Sequence, residues 1–364
     1  MEVLALNAFG AAYRGRRVLV TGHTGFKGSW LCLWLQALGA HVTGVALDPP
    51  SDPSHWQLLK LSIDDKRIDI RDEAALRRVF AAQRPEIVFH LAAQPLVRRS
   101  YQEPVATWAT NVMGTVNVLE ALRHTPEVRA AVVVTTDKCY ENREWPWAYR
   151  ENDRLGGHDP YSASKAGVEL AVASYRAALL QHPSAPLLAT ARGGNVIGGG
   201  DWSQDRLIPD VVRAVVAGES LAVRSPHSTR PWQHVLDCLS GYLLLGQRLL
   251  AGDTTCAEAW NFGPDGHGNR TVEQVLADLA RVWPQVQWHM VTSPQPHEAK
   301  LLQLDSAKAK THLGWRPAWD VEQAIRHTAD WYRRLLEAGQ VSSADALSTY
   351  VADAVDSGLN WATG

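Results

Sequence analysis

Tyr161-Ser-Ala-Ser-Lys165 sets a phenol and an ammonium four residues apart, near the start of a segment with helical patterning. Residues at that spacing share one helical face. The cation can therefore stand beside the phenol and lower its pKa from about 10 toward neutrality. A base of that strength takes the proton from an alcohol while hydride leaves the alcohol carbon. Thr136, closing the β-forming run Ala131–Thr136, would add a hydroxyl beside the tyrosine. Tyr-x-x-x-Lys also occurs by chance on exposed helices, so the pair needs a hydride acceptor to carry meaning.

The chain has a site for one. Val18-Leu-Val-Thr-Gly22-His-Thr-Gly25-Phe-Lys-Gly28 runs β-formers into glycines at a three-residue spacing, followed by apolar Trp30, Leu31, Trp34 and Leu35. This is a strand breaking into a tight turn that opens a helix, where backbone N–H groups and the helix dipole favour a pyrophosphate. A second apolar run from His41 ends in Asp48, about twenty residues beyond the last glycine, where an acid takes the ribose hydroxyls of NAD. A carboxylate there repels the extra phosphate of NADP. The expected cofactor is NAD.

The elements that position these groups alternate. Arg17–Thr21, Val42–Leu47, Ile87–Leu91, Ala131–Thr136 and Leu187–Arg192 read as strands; Gly28–Leu38, Glu73–Gln83, Pro104–Arg123 and Ser162–Gln181 read as helices. The alternation predicts an α/β fold, a doubly wound parallel sheet of the Rossmann type with helices on both faces. After Arg192 the order breaks at Gly193-Gly-Asn-Val-Ile-Gly-Gly-Gly-Asp201. The expected division is therefore residues 1–192 plus about 235–260 for NAD, and 193–234 plus about 261–364 for a smaller substrate-binding lobe. Within it Ile208–Ala217 and Thr271–Val282 read as helices, and Val235–Leu250 as a helix returning to the first lobe.

Composition excludes other classes. A net charge of −2 offers no basic field to nucleic acid. No run of some twenty apolar residues suits a membrane span, and Met1–Asn7 lacks the basic and apolar parts of a signal peptide. The four cysteines are scattered without metal-ligand spacing, which predicts no metal, reduced thiols and a cytoplasmic enzyme. Of fifteen tryptophans, Trp145, Trp147, Trp202 and Trp232 fall in segments near the expected site, where an aromatic could stack on a base; packing is the plainer role for most.

Together these residues resemble the extended short-chain dehydrogenase/reductase superfamily in its nucleotide-sugar branch, over nearly the whole chain. The resemblance includes the glycine turn, Asp69-Ile70, His90-Leu-Ala-Ala-Gln94, Asn111 in Thr-Asn-Val-Met-Gly-Thr, the Tyr161/Lys165 pair, Asn195 in Arg-Gly-Gly-Asn-Val-Ile-Gly-Gly-Gly-Asp-Trp, and Arg230 in Arg-Pro-Trp-Gln-His-Val-Leu-Asp237. Thr-Gly-His-Thr-Gly-Phe-Lys-Gly, Thr-Thr-Asp-Lys-Cys-Tyr-Glu-Asn and Gly-Gly-Gly-Asp-Trp-Ser-Gln-Asp-Arg206-Leu-Ile-Pro-Asp are similar to the 4,6-dehydratases of CDP-hexoses. That family oxidises C4 of the hexose, eliminates water across C5 and C6, and returns the hydride to C6, in deoxysugar and O-antigen biosynthesis.

The resemblance implies NAD contacts from Gly22, His23, Thr24, Gly25, Phe26, Lys27, Gly28, Asp48, Asp69, Ile70, Leu91, Ala92, Ala93, Gln94, Asn111, Tyr161 and Lys165. It implies nucleotide-sugar contacts from Gln94, Thr136, Asn195, Arg206, Arg230 and His234, and a homodimer or higher homo-oligomer. The elimination needs an acid and a base beyond Tyr161, and Asp137-Lys138 after Thr136 is the expected pair. Many sister dehydratases carry Asp-Glu there, and a lysine must be neutral to act as base, which burial or cationic neighbours bring about. Glu141 and His234 are the next candidates. His23 stands where relatives place a small residue and is expected to crowd the pyrophosphate and weaken NAD binding; Lys27 contacts phosphate or faces solvent. Helices Pro104–Arg123 and Ser162–Gln181, with Val116, Leu119, Val168, Leu170 and Val172, are expected to pair with a second copy. A 4-epimerase or a dehydratase of another nucleotide sugar remains the alternative, and a non-catalytic NAD-binding protein a further one.

Overall fold

The computed structural model describes residues 7–264, 268–291 and 301–363, so most of the segment read for a leader lies outside it. Strands β1 (Arg17–Thr21), β2 (His41–Ala46), β3 (Asp64–Arg67), β4 (Ile87–His90), β5 (Ala130–Thr136) and β6 (Leu187–Gly193) form a parallel sheet. Short strands β7 (Asn195–Ile197), β8 (Leu221–Val223) and β9 (Thr229–His234) follow, and β10 (Ala259–Phe262) returns to the sheet beside β6. The order β10-β6-β5-β4-β1-β2-β3 reverses direction between β1 and β4, the crevice where such sheets bind ligands. Strand β11 (Asn269–Thr271) joins β9 and β7 in a second sheet, and β12 (Trp288–Met290) pairs with β8.

One strand of the main sheet has no hydrophobic signature. Strand β3 reads Asp-Asp-Lys-Arg and exists because β2 offers it an edge, with Thr43 to Ala46 in register with Asp64 to Arg67. Within the inner strands successive side chains enter opposite layers, as a period of two requires. Val18, Val20, Ile87 and Phe89 pack with helix Val235–Leu250; Leu19 and Val88 pack under helices Glu73–Gln83, Gly114–Arg123 and Pro160–Ser174. Burying each such side chain stabilises the fold by about 1.5–3 kcal/mol.

The two long expected helices are each interrupted. Pro104–Trp108 passes through a π turn, Ala109–Met113, into Gly114–Arg123, and Pro160–Ser174 ends in another at Tyr175–Leu179. The expected division also needs correction at the C-terminus. Helices Ser343–Asp356 and Asn360–Thr363 pack on the first lobe, where Tyr350 and Trp361 meet Trp34 and Trp361 stacks on Phe9 at 5.0 Å. The apolar outer side of helix Phe26–Ala37 demands that cover, and much of the tryptophan content supplies it.

Candidate active site

The glycine turn has the shape a pyrophosphate needs. Gly22 has φ +76°, a left-handed conformation, and a Cβ there would stand 2.7 Å from the Ala92 nitrogen. A Cβ on Gly28 would stand 2.1 Å from the Gly22 oxygen. Gly25 caps helix Phe26–Ala37, whose first N–H groups lack intrahelical partners. The cradle therefore fits the NAD pyrophosphate. Thr24 donates to the Leu47 carbonyl at 3.0 Å, tying the turn to the exit of β2. Phe26 points elsewhere, against Gly198.

His23 does not crowd this cradle. Its ring is buried over Gly44, where a Cβ would lie 2.4 Å away, and edge-on to Trp56 at 4.6 Å. Its Nε2 meets Asp65 Oδ1 at 2.9 Å, so the one element without hydrophobic patterning, β3, holds it. Burial lowers its pKa against the raising effect of Asp65. Only the backbone of His23 remains near the turn. From Asp65 the charges continue through Arg67 (2.7 Å) to Asp48 (3.8 Å), whose side chain is 90% exposed at the end of β2. Asp69 accepts the Arg71 guanidinium, which holds its carboxyl below the usual range, and Ile70 packs against Gly114.

Leu91 and Ala92 donate backbone N–H groups to the Thr21 hydroxyl and lie against Gly22. Ala93 continues that loop. Gln94 and Asn111 are committed internally: Gln94 Nε2 donates to Leu96 O and Thr107 Oγ1, and Asn111 Oδ1 accepts from the Gln94 N–H. Asn111 Nδ2 donates to Gln94 O and to Ser164 Oγ at 2.8 Å. Buried in the π turn, Asn111 thus fastens the β4 loop to the helix bearing Tyr161 and Lys165, and its side-chain atoms are spent on that bond.

Strand β5 and helix Pro160–Ser174 bring the reactive groups together. Asp159 caps the helix by accepting from the Ser162 N–H at 2.9 Å. The Tyr161 phenol shares a hydrogen bond with Thr136. The expected lowering of its pKa is reversed: burial pushes it up to about 12, with Asp137 adding to the rise, and the helping cation is Arg206. Lys165 faces the sheet, donating to Val134 O at 3.3 Å; burial and then Lys27 hold it down at about 8. Thr136 donates to Asp137 Oδ1 at 2.8 Å, and Lys138 Nζ stands 3.7 Å from the same oxygen. Asp137 Oδ2 is buried without a hydrogen-bond partner among the described residues. Lys138 thus meets a carboxylate rather than cationic neighbours.

Beneath this site lies a network that sequence reasoning missed. Glu169, one turn beyond Lys165 on the same face, accepts from Thr135 and from Thr190, and from Arg192 at 2.8 and 2.9 Å. Arg192 also donates to the Tyr140 hydroxyl at 2.7 Å, which donates to Asn261 of β10. The spacing 161, 165, 169 was the available signal. Nothing in the sequence marked Arg192 as its partner, since that pairing joins helix Pro160–Ser174 to strand β6.

The expected sugar-nucleotide residues divide. Arg206 donates to Pro95 O and lies close enough to Tyr161 to lower its pKa. Arg230 sits on β9 directly across from Arg270 of β11, and Asn195 begins β7 on the other side of β9. His234 is a correction: buried between Trp30 and Trp319, its Nδ1 accepts the Leu236 N–H and caps helix Val235–Leu250, and burial lowers its pKa to about 3. It is removed as an elimination base. Glu141 pairs with Arg143 and Arg154. Trp232 is buried and donates to Arg270 O, Trp202 packs on Tyr332, and Trp145 stacks on Tyr149, with Trp147 outermost and 57% exposed.

A sequence model of the GDP-mannose 4,6 dehydratase family matches residues 19–328. The CDP-glucose 4,6-dehydratase of Salmonella typhimurium is 46% identical over 330 residues, covering 88% of this chain and 91% of that protein. A dTDP-glucose 4,6-dehydratase of Xanthomonas campestris is 29% identical over 335 residues, covering 86% and 92%. Among solved structures, an epimerase from Methanothermobacter thermautotrophicus superposes with a TM-score of 0.80 at 25% identity, over 92% of this chain and 96% of that one. The Thermus thermophilus UDP-glucose 4-epimerase complex with NAD gives 0.76 at 25%, over 87% and 99%.

Proposed function

The chain belongs to the GDP-mannose 4,6-dehydratase family of extended short-chain dehydrogenases/reductases, and on that premise we propose that it is a lyase converting CDP-D-glucose to CDP-4-dehydro-6-deoxy-D-glucose and water. The observation that carries the reading is the conjunction at one strand end of a hydride-transfer pair, Tyr161/Lys165, with Asp137-Lys138, which simple oxidation or epimerisation does not need. CDP is taken from the Salmonella relative. NAD, held by the Gly22–Gly28 turn, would supply the hydride acceptor for C4 and the hydride donor for C6.

The chain's residues do the rest. Tyr161 removes the C4 hydroxyl proton, oriented by Thr136, with Arg206 supplying positive charge against its burial. The resulting ketone acidifies C5–H. Asp137, with its unpartnered Oδ2, and Lys138 are the acid–base pair for the departing C6 hydroxyl and the C5 proton. Arg230 and Arg270, opposed across β9 and β11, are the cations assigned to the diphosphate. We assign the substrate lobe to residues 193–234 and the part of 261–338 around β11 and β12.

The protein is proposed to form a homodimer through the interrupted helices. Of the residues expected there, Leu119, Val168 and Val172 are buried under their own sheet, and only Leu170 is exposed, at 61%. Val105, Trp108 and Met113, exposed by 81, 42 and 54%, supply the apolar face instead. No helix among the described residues is long and apolar enough to cross a membrane, and all four cysteines are free, which supports a cytoplasmic location. The test offers CDP-, dTDP-, GDP- and UDP-glucose with NAD. CDP-glucose deuterated at C4 should give product deuterated at C6 without net NADH; stoichiometric NADH, or a 4-epimer, refutes the dehydratase reading.

A further inference from the structure

Tyr140 closes the turn that carries the elimination pair. Thr136 caps the start of Asp137–Cys139, its hydroxyl accepting the Lys138 N–H at 3.3 Å, and Tyr140 leaves the end of it in an antiparallel bridge to Leu155. The phenol is buried and fully bonded: it accepts from Arg192 Nη1 at 2.7 Å and donates to Asn261 Oδ1 at 2.8 Å. Burial pushes its pKa up, so it stays a neutral donor. Neither the oxidation nor the elimination uses this hydroxyl directly.

The two reactive pairs lie at opposite ends of one loop. From Tyr140 the chain runs out to Trp147 and back to Leu155, and Asp159 then caps the helix bearing Tyr161 and Lys165. Arg192 of β6 spans the gap between those ends. Its Nε and Nη2 hold Glu169 of that helix at 2.9 and 2.8 Å, while Nη1 holds the Tyr140 hydroxyl and the Glu151 carbonyl of the loop. A guanidinium is planar, so its two edges cannot move independently. Asn261 of β10 fastens the same loop, its N–H bonded to Glu151 Oε1 at 2.8 Å and its side-chain amide to the Tyr149 carbonyl at 2.9 Å. Thr136 thus fixes the near end of the turn relative to Tyr161, and Tyr140 fixes the far end.

Oxidation takes hydride from C4, and the elimination takes a proton from C5 and expels the C6 hydroxyl as water. Groups on two elements must therefore reach three adjacent carbons of one sugar held in one place. Displacing a reacting group by about 1 Å can cost on the order of a hundredfold in rate. We propose that Tyr140 is a positioning residue for the elimination: its hydroxyl, joined to Arg192, fixes the turn bearing Asp137 and Lys138 against the helix bearing Tyr161 and Lys165, so that one sugar pose serves both steps. The inference rests on the dehydratase reading above and deepens it.

Tyr140→Phe removes the hydroxyl and keeps the ring with its stacking on Tyr149 at 5.2 Å. With CDP-glucose and NAD in stopped-flow absorbance, the full-length variant should form bound NADH at the wild-type rate and dehydrate on the order of tenfold to a hundredfold more slowly. The CDP-glucose concentration that half-saturates the NADH phase should not change. Because Tyr140 acts through Asp137 and Lys138, adding Tyr140→Phe to Asp137→Asn should cost less than Tyr140→Phe costs alone, whereas independent losses multiply in full. Equal slowing of oxidation and dehydration, a fully multiplied loss in the double variant, or wild-type turnover by Tyr140→Phe overturns the proposal. Should Tyr140→Phe not fold, Arg192→Lys breaks the same joint from the other side while keeping positive charge beside Glu169, and carries the same comparison. A wild-type protein that yields a 4-epimer or stoichiometric NADH removes the dehydratase reading, and this inference with it.

Discussion

Asp137→Asn should separate the elimination from the oxidation. Asp137 Oδ1 accepts from Thr136 at 2.8 Å, which an amide oxygen can also do, so Thr136 stays in place. Lys138 loses its partner at 3.7 Å, but its side chain is 27% exposed and can turn to water, so the loss costs about 1 kcal/mol and the fold survives. What disappears is the carboxyl oxygen Oδ2 as a proton carrier, which an amide cannot replace. Removing one acid–base group lowers the dehydration rate by about a hundredfold to ten-thousandfold, about 3–5 kcal/mol in barrier. The oxidation is spared: Asp137 is among the groups that raise the Tyr161 pKa, so its neutralisation makes the phenol a slightly better base. In stopped-flow absorbance, the variant should therefore build up bound NADH with the 4-keto hexose at an undiminished rate and release product slowly. Tyr161→Phe, by contrast, should show no reduced nicotinamide at all. Wild-type turnover by Asp137→Asn, or slow turnover with no NADH accumulating, would refute this division of labour.

Other outcomes follow from the geometry. Gly22→Ala forces a Cβ to within 2.7 Å of the Ala92 nitrogen at φ +76°, and should cost about 1–3 kcal/mol and abolish NAD binding, read by thermal melting with and without cofactor. Asp237 is buried, with Oδ1 accepting from Ala318, Trp319 and Tyr350, and burial pushes its carboxyl up to about 7. Because that value lies above the unfolded one of about 3.9, its contribution is present at low pH and is lost as pH rises to about 7. The span is about 4 kcal/mol, and Asp237→Asn should flatten that part of a stability–pH curve measured by denaturant unfolding. Trp108→Glu or Leu170→Glu should convert a dimer to a monomer in light scattering at micromolar concentration; a wild-type monomer would refute the proposed interface.

Groups close in sequence were legible. The glycine turn, the Asp48 just beyond β2, and the Tyr161–Lys165 spacing each depend on backbone geometry within a few residues, and the inner strands announced themselves because both their faces are buried. Strand β3 was invisible for the opposite reason: as a charged edge strand it has no apolar pattern and is defined by its pairing with β2. The same strand decided the fate of His23, which a local reading put against the pyrophosphate and which Asp65 draws into the space above Gly44.

Charge environments were decided only by the tertiary structure. A lysine at i+4 seemed enough to acidify Tyr161, but desolvation depends on everything packed around the phenol, and burial outweighs the cations near it. Glu169 and Arg192, His234 as a helix cap, and Lys27 against Cys238 all join elements far apart in the chain. Sequence determined which chemistry this protein carries, because residue type and short-range spacing are properties of the chain itself. Which way each buried group points, and what charge it feels, came from the packing of distant strands and helices, because electrostatic energy depends on distance and solvent exclusion rather than on order along the chain.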